Sequence, residues 1–582
     1  MSPDPRQPPI EPRPRFPEGP PVFVPPPTLP VRAAGASVPV AGPPPSWPRA
    51  RRPVRTFAYR EPVRGAHTAA LLAAGLALAV YVWGAAPTVL SGDSAELAAT
   101  AFRGGVPHTP GYPTFALLGQ VAGRLLPGVP AHRITLLCAF AGAASVALFA
   151  MLLAELGVAW GAVLGGALLY AGTFTLWWAS IRVEVYALAT ALAVFALWRV
   201  LVARRTLAPR DGLLAAFALG LALTGHLLFA PALAIAGLAL AGRALRAGAL
   251  SFPLAIGVAF MLALGLSPYL YLVFADHHYT LTNYLHYAIE PAGGQYGLTP
   301  SRFDSTPERM LFLLLGPESR PHDFLHHVPT ALANMGMAWS RFAAFEVGPL
   351  TALLGLGGIA ALWGRDRGAA RLLIAIALVS PLYAALVVDG PLLDVFMLSS
   401  TVAVAGLAAC GLDGLFARLR SSAPLAVPVA LAAVALAHEL RVRADARPLG
   451  APWMHVQEKG SPHLTTFVPQ LRHEHAARDR AQEILAAIPE SSFVAARWEQ
   501  VMTMKYLQSA EGVRTDLTLD PWYEPSHVVR LERWQHAHAL RTHPVVMVDQ
   551  IPGLVVRLQN ADIRRLKNGT RLWIERHGVV TR

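Results

Sequence analysis

Apolar positions dominate the middle of this chain. From residue 66 to about 438, runs of Ala, Leu, Val, Gly and Phe recur between short polar stretches. Many approach the ~20 residues that a helix needs to cross a bilayer. Read with their basic flanks, they predict eleven spans. These lie at about 67–89, 132–156, 158–179, 185–203, 212–226, 227–242, 250–274, 346–363, 371–388, 394–416 and 423–438. Arg51, Arg52, Arg55, Arg60 and Arg64 place the N-terminus inside. The arginine clusters at 204–210, 243–246, 365–371 and 418–420 then also fall inside. Two long segments, 91–131 and 275–344, are left outside.

The flanks read differently. Residues 1–62 hold 20 of the 50 prolines and predict an extended or disordered cytoplasmic tail. Residues 63–439 form the transmembrane domain. Residues 440–582 are soluble in composition and predict a small α/β domain, which the odd span count places in the extracytoplasmic space. Its strands are expected at 493–498, 516–520, 544–549 and 554–559, and its helices at about 475–488 and 525–541.

Composition sharpens this. With 54% hydrophobic and only 15% charged residues, against ~25% charged in soluble chains, an ordinary soluble enzyme and a disordered protein are both excluded. The net charge of +13 invites a nucleic-acid reading. However, the basic residues are nearly all Arg, and positive-inside topology accounts for them, so no nucleic-acid partner is expected. Lys459, Lys505 and Lys567 are the only lysines. Cys138 and Cys410 both fall in apolar spans, with neither a disulfide framework nor a zinc spacing.

Ionisable residues at membrane depth point to function by default, and here they collect on the outer side. SGDSAEL (residues 91–97) follows the first span; Asp93 and Glu96, at i and i+3, share a helix face. Ser91 or Asp93 as a plain N-cap, with Glu96 closing a capping box, is the competing explanation. PHTPGYP (107–113) presents His108 on a rigid, kinked segment. Trp177 and Trp178 suit an interface belt, and Arg182 and Glu184 after them form either a surface ion pair or a site. His226, at the junction of two short spans, reads more readily as a packed, hydrogen-bonded histidine than as a ligand. Tyr269 and Tyr271, Asn283 and Tyr284, Gln295 and Tyr296, and Asp389 with Asp394 complete the polar landmarks. Trp498, Trp522, Tyr523 and Trp534 could stack on a sugar, but core packing is the stronger reading.

Their order matters more than any one of them. GDSAEL (92–97), VPHTPGYPTFALLGQ (106–120), ASIRVEVYAL (179–188), GLALTGHLL (220–228), GLSPYLYL (265–272), TNYLHY (282–287), GGQY (293–296) and YLQSAEGVRTDLTL (506–519) run through residues 67–520. Together they resemble the GT-C-like family of membrane proteins that includes transmembrane protein 260. HTPGYP after GDS is the most specific block. The family usually has His-Pro-Pro-Gly where this chain has His108-Thr109-Pro110-Gly111, and often His-His at Gly225-His226.

The resemblance implies a polytopic α-helical, GT-C-like fold with a small C-terminal α/β domain. It implies a glycosyltransferase of the bacterial cytoplasmic membrane. A mannose-like sugar would pass, with inversion, from a polyprenyl-phosphate donor to a hydroxyl of a protein or glycan acceptor on the extracytoplasmic side. Asp93 matches the family's first-loop acid and takes the role of general base. Arg103, His108 and Arg182 are candidate cations for the phosphate, Arg182 preferred. Glu184 would orient Arg182 or the acceptor, and Tyr271 would contact sugar or phosphate. Glu96 and His226 complete the substrate-binding set. The lipid-linked donor is the only small molecule expected. Asp93, Glu96 and Glu184 are of the type that holds a divalent metal, but no ligand spacing argues for one. A transporter or flippase for lipid-linked sugars, with helices broken near 265–271 and 390–391, and a non-catalytic scaffold are the alternatives.

Overall fold

The computed structural model describes residues 65–576, apart from 280, 291–304, 317–334, 337–338, 340–341, 388–392, 420–424, 446–467, 523–527, 556 and 559. The tail expected over 1–62, together with Gln295, Tyr296, Asp389 and Tyr523, lies outside the described residues. The described residues all belong to one compact unit.

Each apolar run becomes a helix. The first half comprises α1 (Ala66–Gly84), α2 (Asp93–Arg103), α3 (Pro113–Leu125), α4 (Pro130–Glu155), α5 (Trp160–Ala171), α6 (Phe174–Ser180), α7 (Tyr186–Thr206), α8 (Pro209–Leu223) and α9 (Ala230–Arg246). The second half adds α10 (Phe252–Leu266), α11 (Tyr269–His278), α12 (Thr306–Leu315), α13 (Gly348–Arg365), α14 (Arg367–Val387), α15 (Leu398–Leu419) and α16 (Ala426–Asp445). Proline at the first turn of α3, α4, α8, α9 and α10 sets these starts, where its missing N–H costs no bond.

All eleven expected spans are helical, but they are not equally good spans. Among the described residues, seven helices are long and apolar enough to cross a membrane, or eight if the α5–α6 pair is one span. That pair corrects the straight span expected at 158–179: it bends by 67° at Gly172-Thr173. The spans expected at 212–226, 346–363 and 423–438 fall short. Helix α8 has only 15 residues, α13 is diluted by glycines and Arg365, and α16 ends in Glu439 and Arg441. The chain is a multi-pass membrane protein. Phe252, Ile256, Phe260 and Leu264 show why: spaced by one turn along α10, all four are exposed, a stripe suited to lipid and not to water.

Within the bundle, α1 packs on α4, α4 on α7, α8 on α10 and α13 on α15. The α8–α10 crossing rests on two glycines. A Cβ at Gly220 would lie 2.3 Å from the Leu262 carbonyl oxygen, and one at Gly265 2.3 Å from that of Phe217. Small residues let backbones meet without a hydrophobic drive between helices. Gly220→Val is therefore expected to destabilise the protein by about 1–3 kcal/mol, read as a lower melting temperature and folded yield in detergent. Gly212→Ala, with nothing near its Cβ, serves as the tolerated control.

The C-terminal unit is α/β, as expected. Helices α17 (Ala476–Ala487), α18 (Trp498–Glu511) and α19 (Val528–Ala537) accompany strands β1 (Phe493–Ala496), β2 (Thr518–Pro521), β3 (Val545–Val548), β4 (Asp562–Arg565) and β5 (Arg571–Glu575). The sheet order is β2-β1-β3-β5-β4, parallel across β2, β1 and β3 and antiparallel beyond. The strand expected at 554–559 is corrected. Pro552–Val555 is a single helical turn, and the last two strands form a hairpin closed around Asn568-Gly569, a turn pair that suits tight hairpins.

Period-2 burial divides the central strands between two cores. Phe493, Ala495, Val545 and Met547 face Trp522 and Leu531. Val494, Ala496, Val546 and Val548 face α17 and α18, and that core continues without a break into Ala95, Ala98 and Ala99 of α2. The sheet thus presses α18 against α2, and this contact builds the site.

Candidate active site

Helix α2 starts at Gly92, whose φ of 62° and missing side-chain cap rule out the capping reading of Ser91 and Asp93. Asp93 is instead the first helical residue. Glu96 lies one turn on, and the positive end of the helix favours both carboxylates. Asp93 is half-buried and its Oδ1 accepts a 2.7 Å hydrogen bond from Trp498 Nε1 on α18. Among the described residues Oδ2 has no partner. Glu96, only 2% exposed, is fully engaged. Its Oε1 accepts from the His108 backbone N–H (2.8 Å) and from Tyr287 Oη (2.7 Å), and its Oε2 pairs with His108 Nδ1.

The His108 imidazole is read from its neighbours. Nδ1 faces a carboxylate, which only accepts. Nε2 lies 3.0 Å from Tyr112 Oη, whose own proton goes to the Thr109 carbonyl (2.9 Å). Both ring nitrogens therefore donate, and the ring is an imidazolium. Burial alone would pull its pKa down, but the Glu96 carboxylate opposes this, helped by Asp93 and Glu184, and it is pushed up to about 9. Tyr112 reaches this position from a left-handed backbone, φ 41°.

Behind this face lies a second polar layer. Arg182 is 1% exposed. Its Nε and Nη2 donate to Ser94 Oγ (3.3 and 3.1 Å), its Nε is 3.6 Å from Glu184 Oε1, and its guanidinium sits 4.5 Å over the Trp178 ring. Ser94 Oγ in turn donates to the Val183 carbonyl (2.6 Å). Arg182 and Glu184 thus brace the start of α2 from within. His226 sits at the break between α8 and α9. Its Nδ1 accepts from the Leu228 N–H (3.0 Å), and its ring lies between those of Tyr186 (5.4 Å) and Tyr112 (5.1 Å). Tyr271 holds the loop ahead of His108: its Oη donates to the Gly105 carbonyl (3.1 Å) and accepts from Gly105 N (3.0 Å) and Gln120 Nε2 (3.1 Å). Gly105 is irreplaceable there, since a Cβ would lie 2.2 Å from the Thr282 carbonyl oxygen. Arg103 is exposed at the end of α2.

The structure therefore joins Asp93, Glu96 and His108 directly, links His226 to them through Tyr112, and sets Arg182, Glu184 and Tyr271 in support. Ligand atoms of Asp93, Glu96 and His108 lie within 4.8 Å of one another. A divalent cation there would have to displace the proton that His108 shares with Glu96. Two contributors were not legible as site residues: Tyr287 and Trp498. Tyr287 lies in the TNYLHY block but 191 residues from its partner Glu96. Trp498, expected as a packing aromatic, carries the hydrogen bond to Asp93.

One comparison with known proteins falls on this same segment. Residues 93–246 match the family described as the protein O-mannosyl-transferase TMEM260 N-terminal domain. The protein O-mannosyl-transferase TMEM260 of Mus musculus is 40% identical over 102 residues, which is 17% of this chain and 14% of the mouse protein. The match thus spans a small part of that relative's length. Superposition on crystal structures of ArnT from Cupriavidus metallidurans, bound to undecaprenyl phosphate and in the apo state, gives a TM-score of 0.45 at 14% identity in both cases. It covers 87% of this chain and 97% of ArnT. Over residues 93–246, the segment that carries Asp93, Glu96, His108, Arg182, Glu184 and His226, the chain is similar to the N-terminal domain of the TMEM260 protein O-mannosyl-transferases, as its motifs imply.

Proposed function

We propose that this chain is an integral-membrane glycosyltransferase of GT-C type. It moves a mannose-like sugar from a polyprenyl-phosphate donor to a hydroxyl of a protein or glycan acceptor, on the extracytoplasmic side of a bacterial cytoplasmic membrane. The observation that carries this reading is Asp93: a carboxylate held at one oxygen by Trp498 and open at the other, inside the segment similar to the O-mannosyl-transferases. A hydroxyl is a weak nucleophile, so a base must take its proton as it attacks. The acceptor oxygen bonds to the anomeric carbon, its proton passes to Asp93 Oδ2, and the carbon–oxygen bond to phosphate breaks with the pair leaving on phosphate. A single displacement inverts the anomeric centre. The leaving phosphate is a stable anion that needs cations and no proton donor, and the His108 imidazolium, by neutralising Glu96, keeps the site open to it.

The setting suits a lipid donor. Val121 and Leu125 of α3 and Leu270 and Phe274 of α11 are exposed, and the two helices are joined by the Gln120–Tyr271 hydrogen bond. An apolar surface thus borders the polar site. The arginine threading supports an extracytoplasmic site and C-terminal unit, with the N-terminus inside.

The reading is tested by incubating membranes that contain the protein with a panel of radiolabelled polyprenyl-phosphate sugars. Transfer of label that Asp93→Asn abolishes is the expected result; no transfer from any donor overturns it. Trp498→Phe, which removes one hydrogen bond to a charged group, is expected to lower the rate about ten-fold. Gel-filtration behaviour should be unchanged, because the ring keeps its packing against Tyr284 and Tyr287.

A further inference from the structure

A narrow cleft, open to solvent, lies beside Glu96, between α2, the segment after α11, and α18. Glu96, Thr100, Thr282, Tyr287 and Lys505 are among its lining residues. We propose that Lys505, carried into this cleft by the C-terminal unit, binds the phosphate of the lipid-linked donor, so that α18 is part of the active site. This deepens the proposed function and rests on it.

Three observations converge. The first is placement. Trp498 and Lys505 are seven residues apart, two turns along one face of α18. One reaches Asp93, and the other lines the cleft next to Glu96. The second is charge. Lys505 is half-buried, and its Nζ rests 4.7 Å over the Tyr287 ring. Among the described residues no carboxylate pairs with it. The nearby Asp520 is fully buried and held by Arg530 at 2.5 Å. Burial, and then Arg530, pull the ammonium down to about 8 against the pull of Asp520, so it still carries its charge at neutral pH. A half-buried cation whose only charge-related partner among the described residues is a ring face is a receiver for an anion. Glu96 does not oppose one, because His108 neutralises it.

The third is the anchoring of α18. Arg478 grips Glu511 with two 2.6 Å bonds and reaches Thr88 Oγ1 at 3.2 Å. Tyr506 Oη donates to Glu511 (3.0 Å) and accepts from the Ala131 N–H at the start of α4 (2.9 Å). Arg530 donates to the Tyr287 carbonyl at 3.3 Å. These bonds flank Lys505 and set its helix against α2. A compact ammonium with three donors suits a phosphate approached end-on. The composition is consistent: in a chain with 49 basic residues and three lysines, this position is a lysine.

The test measures binding apart from transfer. The purified full chain in detergent is titrated with a sugar-free, short-chain polyprenyl phosphate and, separately, with inorganic phosphate. Lys505→Met is expected to weaken polyprenyl-phosphate binding about ten-fold or more, the loss of one charge-assisted hydrogen bond. Lys505→Arg should retain most of it. In transfer assays Lys505→Met should raise KM for the donor more than it lowers kcat. If Lys505→Met misfolds, judged by its melting temperature, Lys505→Gln takes its place. Wild-type binding in a folded Met or Gln variant overturns the assignment. Lys505-dependent binding of inorganic phosphate that matches the lipid in affinity overturns the lipid source. Lys505-dependent lipid-phosphate binding without transfer from any donor leaves this assignment standing and sinks the transferase reading. Asp93-dependent transfer with a normal KM in Lys505→Met does the reverse.

Discussion

Asp93→Asn is expected to lower sugar transfer by about 10²–10⁴-fold, the range that loss of a positioned general base costs, in a protein that inserts, elutes and melts as wild type. The substitution is isosteric, and its structural consequences can be followed atom by atom. The side-chain oxygen that accepts from Trp498 Nε1 remains an acceptor in the amide. The new NH₂ stands where Oδ2 has no partner among the described residues, so no bond is broken and none is left half-made. The α2–α18 contact is carried by apolar packing of Ala95, Ala98 and Ala99 against the C-terminal unit, and it does not need the charge. What is lost is the capacity to take a proton, together with a charge–dipole contribution of about 0.3–1 kcal/mol at the start of α2. The measurement is radiolabel transfer beside a melting curve on the same preparation. Transfer within a few-fold of wild type overturns the base assignment. It would also favour the scaffold reading, which should tolerate the change. Asp93→Glu keeps a base but lengthens the arm past the Trp498 hydrogen bond, so it should fall between the two.

How much of this was legible in the sequence follows from separation along the chain. The helices are written in apolar runs, and every expected span has one. Asp93 and Glu96 were legible as a pair because one helical turn joins them, and His108 because only a kinked loop separates it from Glu96. What could not be read is what folding brings from far away. Trp498 stands 405 residues from Asp93, and Tyr287 meets Glu96 across 191. Neither carries a local pattern that distinguishes a site residue from a packing aromatic. Lys505 sits in a helix of mixed polar and apolar residues with no marked face, where a lone cation reads as surface. The roles of Arg182 and Glu184 shifted for a related reason. Sequence places them in the outer turn after the paired tryptophans, but only packing shows that Ser94 and Trp178 enclose the guanidinium. The 67° bend after α5 was also unmarked: Gly172-Thr173 is too weak a signal to end an apolar run.

The Glu96–His108 pair should yield the second large effect, through pH. In the wild-type protein the imidazolium is held by Glu96 and by Tyr112 Oη, and its pKa stands at about 9 against an ordinary 6.5. A raised folded-state pKa contributes stability that is fully present below about 6.5 and lost as pH rises through about 9. Melting temperature and transfer rate should therefore share an alkaline limb near pH 9, where His108 loses its proton and leaves the Glu96 carboxylate unneutralised in the site. Glu96→Gln removes the charge that opposes burial. Burial then acts on His108 with only the more distant Asp93 and Glu184 against it, and the alkaline limb should move down by more than one pH unit. The variant also leaves a half-satisfied buried pair, of the kind whose disruption costs about 3–5 kcal/mol, so its melting temperature should fall even at pH 6. His108→Gln isolates the two effects: it should abolish the alkaline limb altogether, leaving a low, flat rate. A pH profile in Glu96→Gln that superimposes on the wild type would show that the imidazolium is not held by this carboxylate, and would remove His108 from the reaction.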